Sequence, residues 1–409
     1  MTEVFTGSFT QQEPIPKEAI AAAMKVMQSG RLHRYNVADN EAGDVALLEQ
    51  EFAAAMGAKY ALATASGGSA IATALRACGV GPDDAVLTNA FTLAPVPGAI
   101  ASLGAVPVYV AVTEGLVIDL DHLETLAAQG RAQNLLLSHM RGHICDMDRL
   151  MAICDAAKIT VIEDCAHTMG GGWNRTPSGQ HGAVACYSTQ TYKHLNSGEG
   201  GFLTSNDPDV MARAIILSGS YMLYDRHLAA PGAEAFDKVK YVTPNVSGRM
   251  DNLRAAILRP QLRQLSVQCA RWNERYDTVQ AGLSGTPGLT IIKRPDQENY
   301  VGSSIQFLLL DWGEAAINKV LSRCAARGVE LKWFGGAEPT GFTSRYDSWR
   351  YAPSEPMPAT DRVLKSIVDM RLPLTFSITD CEVIARIIRA EVSAVWQVEG
   401  NSEADGRAG

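Results

Sequence analysis

Apolar residues recur every three or four positions through "KEAIAAAMKVMQSG", which predicts a helix ending at Gly30, and again through "VALLEQEFAAAMG", with Gly57 as its stop. Beyond these, short apolar runs alternate with amphipathic ones. "YALATAS", "DAVLTNA", "VPVYVAV", "NLLLSHM" and "ITVIEDCAH" read as strands. "GGSAIATALRACGV", "LAPVPGAIASLG", "DLDHLETLAAQG" and "DMDRLMAICDAAK" read as helices, the third capped by Asp119 or Asp121. "ACYSTQTY" and "GGFLTSN" follow as strands, and a further helix starts with Asp207 as cap and Pro208 as first helical residue. Strands alternating with helices of about 10–15 residues imply a mostly parallel sheet with helices on both faces.

A long helix is expected across "DNLRAAILRPQLRQLSVQCARWNERYDTVQAGLSG", and from about residue 285 the pattern changes to short strands and helices. The expected organisation is a large α/β domain over 1–262 with an N-terminal arm, a smaller α+β domain over 263–398, and a polar disordered tail over 399–409.

Composition narrows the function classes. The chain has 409 residues, 46% apolar and 20% charged, as in ordinary globular proteins. A net charge of −8 argues against a nucleic-acid partner, which needs a basic face to displace counterions from phosphates. No run of about 18 apolar residues occurs, so no membrane span is expected. The first residues, "MTEVFTGSFTQQEP", lack a basic region followed by an apolar core, so no secretory leader is expected there. The 8 cysteines form no C-x-x-C pair and read as reduced thiols of a cytoplasmic protein; no metal site is expected.

Three stretches carry candidate chemistry. Asp164 ends the apolar strand "VIEDCAH", and open α/β sheets bind ligands at the carboxyl ends of their strands. An aspartate there is either a cofactor partner or a helix cap. Residues 65–75, "ASGGSAIATAL", open a helix on glycines directly after a strand, an arrangement that suits a phosphate, although many helices start with Ser-Gly. Neither a P-loop nor a dinucleotide fingerprint is present. Lys193 sits among small residues in "CYSTQTYKHLNSGEGGFL", whose glycines permit a tight reversal. A phosphate cradle, a strand-end aspartate and a loop lysine together are what pyridoxal phosphate requires: the lysine for a Schiff base, the aspartate to keep the pyridine nitrogen protonated.

With "GRLHRYN", "LEQEFAAAMGAKYALATASGG", "VIEDCAHTMGG", "SGQHGAVACYS", "KHLNSGEGGFLTSND" and "GRMDNLRAAIL" in this order, the chain resembles the DegT/StrS-type sugar aminotransferases, from Gly30 to about Gln397. The resemblance implies the pyridoxal-phosphate-dependent transferase fold (fold type I). It puts Lys193 at the Schiff-base lysine, Asp164 at the pyridine-nitrogen partner, His167 against the cofactor ring, Ser188 at the phosphate hydroxyl, and Gly67, Gly68 and Ser69 at the backbone cradle. It also implies a homodimer with shared sites, in which Ser247 of one subunit lies at the other's cofactor and Arg249 enters the other's active site as a candidate substrate contact.

Three positions depart from the family pattern. Leu93 replaces an aromatic residue that stacks on the ring, Ser247 replaces an asparagine, and "SHMRGH" makes Arg141 and His143 candidate substrate contacts. Arg34 and Tyr35 are further candidates for the acceptor pocket. The segment 331–353 reads either as a packed surface loop or as a lid in which Arg345 or Arg350 holds an anion.

The implied activity is ping-pong amino transfer, through a Lys193 Schiff base and a pyridoxamine phosphate form. It runs from L-glutamate or L-glutamine to a keto or aldehyde sugar, sugar acid or cyclitol. Rival readings are elimination or aldol-type chemistry on an amino acid, a sugar dehydrase of the same fold (which carries histidine where this chain has Lys193), and a catalytically silent regulatory homologue.

Overall fold

The computed structural model describes residues 3–38 and 41–406, with the side chains of 399–406 left out. Its strands are β1 Tyr60–Thr64, β2 Ala85–Asn89, β3 Val106–Val110, β4 Asn134–Ser138, β5 Thr160–Asp164, β6 Gly172–Trp173, β7 Thr176–Pro177, β8 Val184–Ser188 and β9 Gly201–Ser205, followed by β10 Thr290–Ile291, β11 Glu298–Asn299, β12 Ser304–Leu308, β13 Lys332–Trp333 and β14 Ile367–Arg371.

Seven strands form the central sheet in the order β1-β9-β8-β5-β4-β2-β3, and only β9 runs against the rest. The strands are almost wholly buried, as befits a sheet covered on both faces. One face packs against helices Gly67–Ala77, Pro95–Ser102 and Pro208–Leu217. The other is covered in two apolar clusters that include Asp44–Met56, Met147–Ala157 and Asn252–Leu262. Asp119 rather than Asp121 caps its helix, accepting from the amides of Asp121 and His122, and Asp207 caps the helix that starts at Pro208. Register sets Ser138 beside Asp164, Asp164 beside Cys186, and Ser188 beside Gly201, so the carboxyl ends of β4, β5 and β8 line up along one edge.

β10, β12, β14 and β13 form a second, antiparallel sheet whose core is closed by helices Leu265–Leu283, Glu314–Ala326 and the C-terminal helix. Phe5 and Phe9 also lie in that core, edge-on to Phe376 at 4.9 and 5.0 Å, so the N-terminal arm packs with the small sheet rather than with the large one. β11 pairs with the β6–β7 hairpin and ties the two halves together.

Two expectations change. The long helix is two helices, Asn252–Leu262 and Leu265–Leu283, parted at Arg263 and Gln264. Pro260 inside the first has no N–H for the ladder, and the helical hydrogen bonding fails within a turn. The last helix has bounds Ile378–Gly406, past the boundary drawn at 398; residues 407–409 of the expected tail lie outside the described residues.

Candidate active site

A cavity of about 450 Å³ opens at the carboxyl edge of the central sheet, between it and the small sheet. Its floor is Asp164, the last residue of β5. One carboxylate oxygen accepts from the Ser138 hydroxyl at 3.1 Å, and the other from the Ala166 amide at 3.1 Å. Burial raises the Asp164 pKa, and the nearby Lys193 cation partly opposes the rise.

Lys193 lies in the loop between β8 and β9. A turn in which its amide donates to the Gln190 carbonyl holds it there, and Gly198, with φ of 79°, closes the reversal as expected. Lys193 Nζ is 2.7 Å from His167 Nε2. Burial lowers the Lys193 pKa to about 7; Arg141 and Arg371 push the same way, and Asp164 opposes them. Burial and the same cations hold His167 well below the usual histidine range. The imidazole is therefore neutral, and its Nε2 shares a hydrogen bond with the lysine amine.

One end of the cavity is built from the start of helix Gly67–Ala77. Ser66 caps it, its hydroxyl accepting from the Ser69 amide at 3.0 Å. That occupies the Ser69 amide, and Ser69 does not line the cavity, whereas Gly67 and Gly68 do, with Ser66 beside them. A Cβ on Gly67 would lie 2.9 Å from Ser188 Cβ, which shows how closely the helix end and the Ser188 hydroxyl approach each other. Leu93 lines the wall with Pro95 and Val96.

These residues fit pyridoxal phosphate. Two free helix-start amides and a hydroxyl suit the phosphate. An acceptor-only carboxylate with two partners has room for a third donor, a ring N–H. The lysine amine is poised near neutrality.

Several candidates lie elsewhere. Arg34 is buried and gives both terminal nitrogens to Glu49 at 2.9 and 2.8 Å, and the Tyr35 hydroxyl is 2.7 Å from His227 Nε2; neither side chain lines the cavity. His143 is buried, 2.9 Å from Gln306 Oε1, and also outside the lining. Arg345 pairs with Asp347, and Arg350 is exposed. Of the segment 331–353, the cavity receives only Phe342. Arg249 donates to the Gly219 carbonyl at 2.7 Å, and Ser247 is exposed beside it. Their strip borders the cradle, since the Ala65 amide donates to the Gly248 carbonyl, without entering the cavity of its own chain. Arg141 does line the cavity.

The sequence reading missed Arg371, Tyr192, Phe342 and Ser138. Tyr192 was signalled by its place next to Lys193, and Ser138 by the register of a strand end. Arg371 and Phe342 carry no local signal, because the small sheet brings them in from far along the chain. His139, Glu163 and Cys165 converge near β5. Glu163, however, already accepts from the amides of Gly179, His181 and Gly182 and from His139, and so serves to hold that loop.

Comparison with known proteins agrees with this geometry. The chain is 31% identical over 279 residues to the spore coat polysaccharide biosynthesis protein SpsC of Bacillus subtilis, covering 67% of this chain and 69% of that one. It is 26% identical over 340 residues to a putative L-glutamine:3-amino-2,3-dideoxy-scyllo-inosose aminotransferase of Streptoalloteichus tenebrarius, covering 80% and 79%. The crystal structure of 3-amino-5-hydroxybenzoic acid synthase superposes with a TM-score of 0.80 at 24% identity over 95% of this chain and 99% of that one, which shows the fold. The model of the DegT/DnrJ/EryC1/StrS aminotransferase family matches residues 14–390, and the chain belongs to that family of pyridoxal-phosphate enzymes.

Proposed function

We propose that this protein moves the amino group of L-glutamate or L-glutamine onto a keto or aldehyde carbon of a sugar, sugar acid or cyclitol. The observation that carries the reading is the Lys193 amine, near neutrality, 2.7 Å from a neutral His167 above the Asp164 floor.

Gly67, Gly68 and Ser188 would hold the phosphate of the cofactor, and Asp164 its ring nitrogen. When bound, pyridoxal phosphate supplies an electron sink for the carbanion formed at the donor's α-carbon. Asp164, buried and fixed by Ser138 and Ala166, maintains positive charge at the ring end of the cavity. Lys193 Nζ carries the proton. With a pKa near 7 it can take a proton from a carbon and return one at neutral pH. His167 Nε2 fixes where that amine points. Leu93, Pro95 and Val96 keep water from one wall.

The expected test result is reversible bleaching: L-glutamate or L-glutamine removes the visible absorbance of the holoenzyme, and a keto sugar restores it. An absorbance indifferent to both donors would overturn the reading.

The protein is further proposed to be a homodimer, in which Ser247 faces the neighbouring subunit's cofactor and Arg249 enters that subunit's active site. Ile20, Met24, Met27 and Leu32 at the first helix, and Tyr221, Met222, Tyr241 and Val242, leave apolar surface exposed that a second copy would cover. Light scattering at the monomer mass would refute this. We also place the protein in the cytoplasm, on its eight unpaired thiols. No helix of the described residues is long and apolar enough to cross a membrane.

A further inference from the structure

The turn after β4 sends two side chains across to the small sheet. Arg141, in the middle of that turn, takes the left-handed conformation, with φ of 56° and ψ of 22°. A side chain there is strained and stays only where its contacts hold it. Opposite the turn stand Gln306 of β12 and Asp369 of β14, which are cross-strand partners. Arg141 donates a terminal nitrogen to Asp369 Oδ2 at 2.9 Å, and His143 Nε2 lies 2.9 Å from Gln306 Oε1. Gln306 Nε2 donates to the other oxygen of Asp369 at 2.7 Å. All four side chains are buried, Asp369 completely. The ion pair thus joins the large sheet to the small one, between residues 228 apart in the chain.

Asp369 lines neither the cavity over Asp164 nor the small cleft beside it, whereas Arg141 and Lys193 line both. A buried cation deprived of its counter-ion moves toward water, so Asp369 decides where Arg141 sits. That position matters to Lys193. After burial, Arg141 is the largest influence on the Lys193 amine and lowers its pKa; Asp164 opposes it and Arg371 adds to it. The other titratable groups around the amine are His167 at 2.7 Å, held neutral, the neighbouring His194, which burial lowers to about 3, and Tyr192 in the same cavity wall.

We propose that Asp369 is a positioning residue for the reaction: from the small sheet it fixes the Arg141 guanidinium in the cavity wall near Lys193, so that the surroundings of the catalytic amine are complete only when the two sheets are joined through this pair. The inference rests on the reading of Lys193 as the cofactor-bearing amine. Asp369 touches neither substrate nor cofactor and acts through Arg141. The strained turn and the Gln306 contact hold the two ends of the pair in register.

The test follows condensation of the cofactor-free protein with pyridoxal by visible absorbance, as a function of pH. It compares the wild type with Arg141→Gln, Asp369→Asn and the double variant. Glutamine at 141 keeps a donor for Asp369. Arg141→Gln should move the midpoint of the pH profile upward, with roughly a two- to fivefold slower reaction at pH 7, because a cation has left the site. Asp369→Asn should move the midpoint in the same direction, since Arg141 is released. Deleting a carboxylate that acted on Lys193 by its own charge would move it the opposite way, to lower pH. The double variant should titrate as Arg141→Gln does, because Asp369 has nothing left to position.

A midpoint in Asp369→Asn that is unmoved or lower overturns the proposal, whatever happens to its melting temperature or its limiting rate. Asp369→Asn leaves a buried cation unpaired, so its folding is read by near-ultraviolet circular dichroism. Should it not fold, the comparison of Arg141→Gln with the double variant decides: equal midpoints support the proposal, and a lower midpoint in the double variant overturns it. Wild-type protein that takes up no pyridoxal at any pH overturns the reading of Lys193 itself, a result distinct from normal uptake with unmoved midpoints.

Discussion

Arg34, Glu49, Tyr35 and His227 form one buried cluster of charge and hydroxyl; Arg141, Arg371, Asp164, His167 and Lys193 form another. The residue types are nearly the same. In the first, Arg34 meets both oxygens of Glu49, Glu49 also takes the Ala63 amide, and His227 stands 3.1 Å from Glu49 and 2.7 Å from the Tyr35 hydroxyl. Burial pushes the Glu49 pKa up, but Arg34 and His227 more than offset it and hold it at about 2. In the second cluster cations exceed carboxylates, the lysine is lowered toward neutrality, and among the described residues Arg371 stacks on two rings and pairs with no carboxylate; a buried Nε without a partner occurs in both clusters, at Arg34 and at Arg141. Paired charge marks the first as a clamp that fixes the segment around Arg34 to β1. Surplus cation marks the second as a place for something that arrives.

The sharpest way to break this contrast is Lys193→Ala, which should leave a folded protein with turnover lower by about 10³- to 10⁴-fold or more and no visible cofactor band. Appreciable turnover would mean the proton carrier is elsewhere. Asp164→Ala should follow with a loss of roughly 10²- to 10³-fold and nearly unchanged melting. Rates near wild type would reduce Asp164 to a turn residue.

Glu49→Gln should behave in the opposite manner. Stranding Arg34 in the interior should lower unfolding free energy by about 3–5 kcal/mol while the rate per folded molecule stays near wild type. A lowered rate with unchanged denaturation midpoint would show that the two clusters are coupled.

The smallest effect concerns pH. Below about pH 7 the Lys193 amine is protonated. Condensation of the cofactor-free protein with pyridoxal should therefore speed up as pH rises through 7 and level off above it. Arg371→Gln removes a cation that lowers this pKa, so the midpoint should move to higher pH. A stationary midpoint would mean that burial, Arg141 and Asp164 set it without Arg371.

The same contrast explains what could be read beforehand. Lys193, Asp164, Ser188, Gly67 and Gly68 each sit at a strand end or the loop after it, and period and turn chemistry locate such places from local sequence. The parallel sheet was legible for that reason. Arg34 and Tyr35 were over-read because nothing near them in the chain reveals Glu49 and His227, which absorb their donors. Arg371 was overlooked for the converse reason. "VDMRLP" is an ordinary strand end, and its importance comes from Tyr192 and Phe342, which only the folded chain sets against it. The break at Arg263 and Gln264 shows a local signal, Pro260, outweighing an unbroken helical period.

Phe5 and Phe9 close the core of the small sheet, beside residues as late as Val395. Those two rings are made before the wall they complete, so the arm has no docking place until that later half of the sequence has been made. Changes around Phe5 and Phe9 therefore perturb the half of the molecule that sequence numbering places farthest from them.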